Sequence, residues 1–271
     1  MLKVILTRMR QGYRTMKFPA GAPPALPDRF RGRPRLDLDA CLEGCDECER
    51  ACPIGAIMRA AGSAGPTFDL GKCLFCLDCE HACPKAAMRF SKDYRLAVRK
   101  RDDLVIAPDD QELKLARELE WRMKRLFGRS LKLRQVSSGG CGACEADVNV
   151  LSTIGWDLGR FGIQFVASPR HADGLLVTGP VTKNMELALR KTYDAVADPK
   201  IVIVAGSCAI SGGPYIGHKD ANDGASALLP VDLFIPGCPP HPLTILDGLL
   251  RLVGRIQNTP AGRKRRREEE L

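Results

Sequence analysis

Twelve cysteines in 271 residues are the side chains best able to do chemistry in this chain, and eight of them fall in two runs, CLEGCDECERACP from residue 41 and CLFCLDCEHACP from residue 73. The second run spaces Cys73, Cys76 and Cys79 by three, sets Cys83 four further on and follows it with Pro84. Three thiolates at that interval wrap one four-iron cubane, and the set-back fourth points away to a neighbouring one. The spacing therefore assigns Cys73, Cys76, Cys79 and Cys52 to one [4Fe-4S] cluster, and Cys41, Cys45, Cys48 and Cys83 to another. The first run departs from the pattern, because three residues rather than two separate Cys41 from Cys45. The extra residue is expected to bulge the loop at Gly44, altering that cluster's potential or weakening Cys41 as a ligand. Zinc modules also use paired cysteines at short spacing, but two tandem runs that each close on Cys-Pro are not a usual zinc arrangement.

Cys141, Cys144, Cys208 and Cys238 stand apart. Isolated cysteines are commonly small buried hydrophobes, yet each of these follows a strand-like segment: Cys141 and Cys144 after LKLRQV, Cys208 after KIVIVAG, Cys238 after VDLFIPG. Ligands of an open parallel sheet bind beyond the carboxyl ends of its strands, so the four thiols are expected at one sheet edge. Their glycine-rich surroundings, SGGCGACE, GSCAISGG and PGCPPHP, let the backbone approach a bulky group and turn N–H donors toward it. A third [4Fe-4S] cluster is the expected occupant.

The elements that must position these thiols follow from periodicity. LKLRQV, GIQFV, DGLLVTG, KIVIVAG and VDLFIPG read as short buried strands, and 144–156, 183–196 and 242–254 have helix length. Alternation of the two implies a parallel sheet with helices on both faces. Residues 109–128 show helical spacing from Asp109 to Gly128 and are expected to form a linker helix. Residues 19–34 are rich in Pro and Gly and read as an extended connector, and the tail RKRRREEEL as a solvated end.

Bulk properties restrict the alternatives. The first residues lack a secretory pattern and no segment reaches spanning length, so a cytoplasmic, reducing location is expected, where twelve cysteines are ligands rather than six disulfides. The net charge of +9 would fall to about +3 on binding three clusters of about −2 each. With only 6% aromatic residues and no interleaving of basic and aromatic side chains, no nucleic-acid partner is expected. Neither a Walker-type phosphate loop nor a Rossmann glycine fingerprint is present.

The second half, through GGCGACE, LLVTGPVT, GSCAISGG and PGCPPHP, resembles the small subunit of complex I-like nickel-iron hydrogenases, and is similar to the 20 kDa iron-sulfur subunit of respiratory complex I. The first half, through its cysteine runs, FRGRP at 30–34 and RFSKDYRLAVRKRDDLV at 89–105, resembles the two-cluster iron-sulfur subunit of formate hydrogenlyase. The resemblance implies an N-terminal extension and connector over 1–34, an α+β bacterial two-cluster ferredoxin domain over 35–100, the linker over 101–130, an α/β flavodoxin-like domain over 131–256 and a charged tail over 257–271. It implies an oxidoreductase subunit that relays electrons from a donor protein through the two ferredoxin clusters to a proximal cluster beside the metal site of a hydrogenase large subunit, peripheral on the cytoplasmic membrane among membrane-arm subunits. A fused subunit of a complex I-like NADH/quinone oxidoreductase is the alternative; there the first ligand position carries two adjacent cysteines, whereas Cys141 and Cys144 are separated as in hydrogenases. A free-standing ferredoxin is a third. Glu145 is expected to relay protons or to sit as a helix-start carboxylate, and Asp147 replaces the family's usual Glu. His241 is expected to tune the cluster or meet a partner, His81, His171 and His218 to be surface residues, and the basic N-terminus to dock at a membrane or pack on the first half.

Overall fold

The computed structural model describes residues 2–59, 64–107, 113–127 and 130–256. The expected charged tail lies outside them. In the first half an exposed helix α1 (Leu2–Gln11) precedes the connector; then come β1 (Pro34–Leu36), a one-turn helix α2 (Glu47–Arg50), β2 (Ile57–Met58), β3 (Thr67–Asp69), a second one-turn helix α3 (Asp78–His81), β4 (Met88–Phe90) and β5 (Val105–Ile106). β1 pairs antiparallel with β4, and β2, β3 and β5 form a three-stranded antiparallel sheet. Each cysteine run thus contributes one helical turn between short strands, repeating the same unit twice. Because β5 pairs with β3, the antiparallel sheet of the first half extends to residue 106. A 2.7 Å ion pair from Arg101 to the buried Asp69, whose other oxygen accepts the Gly71 N–H at 2.9 Å, secures that extension.

The expected linker helix is shorter than its periodicity indicates. Only α4 (Trp121–Phe127) is helical, and residues 113–120 run without helix; 108–112 and 128–129 lie outside the described residues. Tertiary hydrogen bonds decide this, since Ala116 N–H donates to Ala97 at 2.7 Å and Leu119 N–H to Leu252 at 3.0 Å. Ala116 and Leu119 are buried, and these tertiary contacts override the high helix propensity of the Leu, Lys, Ala, Arg and Glu residues in the segment.

The second half is the expected parallel sheet: β6 (Leu131–Ser137), β7 (Ile163–Phe165), β8 (Gly174–Thr178), β9 (Ile201–Ala205) and β10 (Leu233–Ile235), interleaved with α5 (Ala143–Val150), α6 (Lys183–Asp194) and α7 (Ser207–Ser211) and followed by α8 (Pro242–Leu252). The spatial order is β10-β9-β8-β6-β7, all parallel, so the order reverses between β6 and β8. Every residue of β8, β9 and β10 is buried, as a sheet covered on both faces requires. Leu176, Ile201, Ile203, Leu233 and Ile235 face a core shared with Val148 of α5 and Leu243, Leu246 and Leu249 of α8.

The alternating residues Leu175, Val177, Val202, Val204 and Phe234 join Leu189 of α6 in another core. That core is continuous with Ile57, Phe68, Leu70, Met88, Leu104 and Ile106, so the two halves are packed around common apolar interior. Val98 and Phe234 exchange backbone hydrogen bonds of 3.0 and 2.9 Å, and the first half thereby covers the open edge of β10. The FRGRP segment clamps the union. Phe30 stacks edge-on against His241 at 5.3 Å, Arg31 donates to Phe75 O at 2.7 Å, and Gly32 lies so close to Asp93 that a Cβ there would fall 2.2 Å from its carbonyl oxygen.

Candidate metal centres

In the first half each cysteine run supplies three sulfurs to its own cavity and one to the other. Cys52, Cys73, Cys76 and Cys79 line one cavity together with Ile54, Ile57 and Phe68. Cys41, Cys45, Cys48 and Cys83 line another with Leu36, Leu42 and Met88. Cys52 and Cys83, which cross to the other cavity, each lie two residues past the end of their helical turn. Backbone N–H groups point at the sulfurs: Ala56 donates to Cys52 Sγ at 3.2 Å and Phe75 to Cys73 Sγ at 3.3 Å. Burial, reinforced by the neighbouring sulfurs, pushes the thiols of Cys73 and Cys79 up to about 12.

The second half brings its four cysteines together as the sheet topology requires. Cys141 and Cys144 lie between β6 and the first turn of α5, Cys208 lies in α7 after β9, and Cys238 follows β10. Burial pushes the Cys144 thiol up, and the charges of Glu145, Cys208, Cys238 and Cys141 push it further, so the four sulfurs share one neighbourhood. Burial, then Cys238 and Cys141, raises Cys208 to about 11. Glycine is needed for the approach at two places: a Cβ on Gly206, which has φ of +96°, would lie 2.6 Å from Cys144 Sγ, and one on Gly213 would lie 2.8 Å from Cys208 Sγ. Cys141 and Cys238 remain exposed, which leaves this site open to the surface. Burial raises the Cys238 thiol, and the charges of Cys141 and Cys76 add to it.

These arrangements fit multi-iron clusters. A single zinc takes its four sulfurs at about 2.3 Å from one point, whereas the first two sets of sulfurs line the walls of cavities that apolar side chains share. The first two sets instead surround a volume, as separate corners of a cubane demand. Crowded, half-buried thiols resist ionisation alone, and binding of iron cations would displace their protons.

The remaining candidates resolve as follows. Glu145, in the first turn of α5, accepts hydrogen bonds of 2.6 Å from Ser137 and Thr178. Burial would raise its carboxyl, but these two hydroxyls outweigh burial and hold it below the usual range. Asp147 is raised by burial. His241 caps α8, its Nδ1 accepting the Leu243 N–H at 3.1 Å, and lies between Phe30 and Trp156. Its role in the fold is therefore to join connector, helix and sulfur-bearing loop. His81, His171 and His218 are exposed. α1 is exposed throughout rather than packed on the first half, and among the described residues no helix is long and apolar enough to cross a membrane.

Sequence reasoning passed over Ser207 and Ser211. Ser207 Oγ donates to Cys73 O at 2.5 Å and Ser211 Oγ to Gly71 O at 2.8 Å, tying α7 to the cysteine loop of the first half. Nothing in their local pattern signals a partner more than a hundred residues away.

Residues 28–87 match the 4Fe-4S dicluster domain, and residues 141–252 match the family described as NADH ubiquinone oxidoreductase, 20 kDa subunit. A probable membrane-bound hydrogenase subunit of Pyrococcus furiosus is 39% identical over 52% of this chain and 86% of its own length. An NADH-quinone oxidoreductase subunit of Carboxydothermus hydrogenoformans is 44% identical over 44% of this chain and 72% of its own length. Among solved structures, a chain of the archaeal membrane-bound sulfane sulfur reductase is 32% identical, covering 56% of this chain and 90% of that one with a TM-score of 0.44. The chain therefore belongs to the NADH ubiquinone oxidoreductase 20 kDa subunit family, as an iron-sulfur oxidoreductase subunit with a 4Fe-4S dicluster domain fused ahead of the family domain.

Proposed function

We propose that this chain is the electron-relay subunit of a membrane-associated, complex I-like nickel-iron hydrogenase of the formate hydrogenlyase type. It would hold three [4Fe-4S] clusters, on Cys41, Cys45, Cys48 and Cys83, on Cys52, Cys73, Cys76 and Cys79, and on Cys141, Cys144, Cys208 and Cys238. When bound, each supplies one-electron redox chemistry. The observation that carries the proposal is the 2.5 Å hydrogen bond from Ser207 Oγ to Cys73 O, which ties α7, the helix that bears Cys208, to the cysteine loop of the first half. The strand order, which counted from β6 is 2-1-3-4-5, supports a flavodoxin-like domain whose ligand lies where the order reverses.

The chain's own residues account for the rest. Amides of Ala56 and Phe75 stabilise sulfur charge. Leu70, Phe75 and Met88 keep water from the first two sites. The exposed Cys141 and Cys238 leave the third at the surface, where a large-subunit partner would approach, with the donor protein meeting the first half and membrane-arm subunits holding the assembly on the inner face of the cytoplasmic membrane. Anaerobic reconstitution should yield about twelve irons per chain. Cys208→Ser or Cys238→Ser should abolish hydrogen turnover in the assembled complex while the two dicluster signals persist; turnover that survived would remove the third group from the path.

A second function, transfer to quinone in a complex I-like dehydrogenase, is favoured by the 44% identity to the NADH-quinone oxidoreductase relative. Cys141-Gly-Ala-Cys144 in place of adjacent cysteines supports hydrogenase. Nickel in the purified complex, together with hydrogen evolution that needs no quinone, would decide for it.

A further inference from the structure

Arg59 follows β2, where the chain leaves the first cysteine run. Its Nη2 lies 3.5 Å from Cys41 Sγ, and its Nε is buried without a partner among the described residues. The Arg59 backbone N–H donates to Glu49 Oε2 at 3.1 Å, which anchors the base of the side chain to α2. Elsewhere in the first half, the sulfurs of Cys52 and Cys73 receive backbone amides. At Cys41 the donor is a full positive charge.

Cys41 is also the ligand whose spacing departs from the regular run. The extra residue is taken up in an exposed turn of Leu42, Glu43 and Gly44, closed by a 3.2 Å bond from Cys45 N–H to Leu42 O, with Gly44 at φ of +72°. Such a turn fixes the Cys41 sulfur less firmly than the two-residue loops fix theirs. A guanidinium presents donors in a rigid plane, and its bond to an anionic sulfur is charge-assisted. Hydrogen bonds to cluster sulfurs raise the reduction potential, because the reduced form carries the greater negative charge. Glu47 and Lys85 border the same cavity, but both are exposed and screened by solvent.

We infer that Arg59 is a positioning residue for the cluster held by Cys41, Cys45, Cys48 and Cys83: it holds the Cys41 sulfur that the longer loop leaves loosely tethered, and it raises that cluster's reduction potential. This rests on the proposed cluster assignment. The test is potentiometric titration, followed by electron paramagnetic resonance, of the full chain and of Arg59→Gln, Arg59→Lys and Lys85→Gln, each with its iron content. If the parent chain fails to load about twelve irons, the cluster assignment itself fails, independently of Arg59. With the parent loaded, Arg59→Gln should make one cluster about tenfold harder to reduce, a fall of about 59 mV for one electron. The other two midpoints should stay in place, Arg59→Lys should recover part of the shift, and Lys85→Gln should have little effect. Loss of four irons in Arg59→Gln that Arg59→Lys restores would equally support the role. Unchanged midpoints at full iron content, an equal shift in Lys85→Gln, or equal iron loss in both Arg59 variants would overturn it.

Discussion

Single residues control how closely the chain approaches its sulfurs. Gly206 is the sharpest case, since an added methyl would meet Cys144 Sγ at 2.6 Å in a backbone conformation that side chains rarely adopt. Gly206→Ala should therefore lower iron from about twelve to about eight per chain and leave the two dicluster signals intact. Gly44→Ala, with nothing within 4 Å of the added carbon, should cost only the strain of its positive φ, about 1 kcal/mol, with all irons retained. Glu145 gives a contrasting outcome. Its carboxylate accepts two hydroxyls, so Glu145→Gln should lower unfolding free energy by about 1–2 kcal/mol in denaturant titration. Because these bonds serve the loop that carries Cys141 and Cys144, the third cluster's lifetime in air should shorten in step.

At the scale of elements, the union of the halves depends on short segments rather than on long helices. Gly32 permits the connector to lie against Asp93, and Gly32→Ala should cost about 1–3 kcal/mol as the two backbones are forced apart. Asp93 itself is opposed by burial, but side-chain and backbone hydrogen bonds from Arg95 prevail and lower its carboxyl. A carboxyl lowered in the folded chain contributes stability above its unfolded value, and that contribution disappears as pH falls through the folded one. Asp93→Asn should thus be less stable than the parent by about 1 kcal/mol at neutral pH, with the difference closing below about pH 4 in paired thermal melts. Ser211→Ala leaves the buried Gly71 carbonyl without its hydroxyl and should loosen the contact between α7 and the cysteine loop by about 1 kcal/mol.

For the whole molecule, the continuous core predicts a single cooperative unit. Leu175, Val177, Val202, Val204 and Phe234 share one core with Ile57, Phe68, Leu70 and Met88 of the first half, so removing that half should expose apolar side chains at a cost of about 1.5–3 kcal/mol for each large one uncovered. Residues 131–256 expressed alone should aggregate, and the intact chain should unfold in one calorimetric transition. Two well-separated transitions, or a soluble monomeric second half, would show the halves to be independent. Phe30 packs edge-on against His241 across the two halves, so Phe30→Ala should loosen the connector and lower the thermal midpoint of the chain.

The sequence by itself determined the strand framework and carries the spacing on which the proposed cluster chemistry rests. Cysteine intervals of three encode the wrapping of a cubane within a few residues of chain, and runs such as KIVIVAG and DGLLVTG carry buried strands in their own composition, so both were legible locally. Tertiary structure decided what depends on distant partners. Residues 113–120 lost their helix to hydrogen bonds donated to the Ala97 and Leu252 carbonyls, β5 joined the first half by pairing with β3, and His241 became a helix cap between two aromatic rings. Ser207, Ser211 and Arg59 acquired their roles only when folding brought Cys73, Gly71 and Cys41 to them, because a hydrogen bond is fixed by proximity in space, and local sequence does not encode which distant atom will be there.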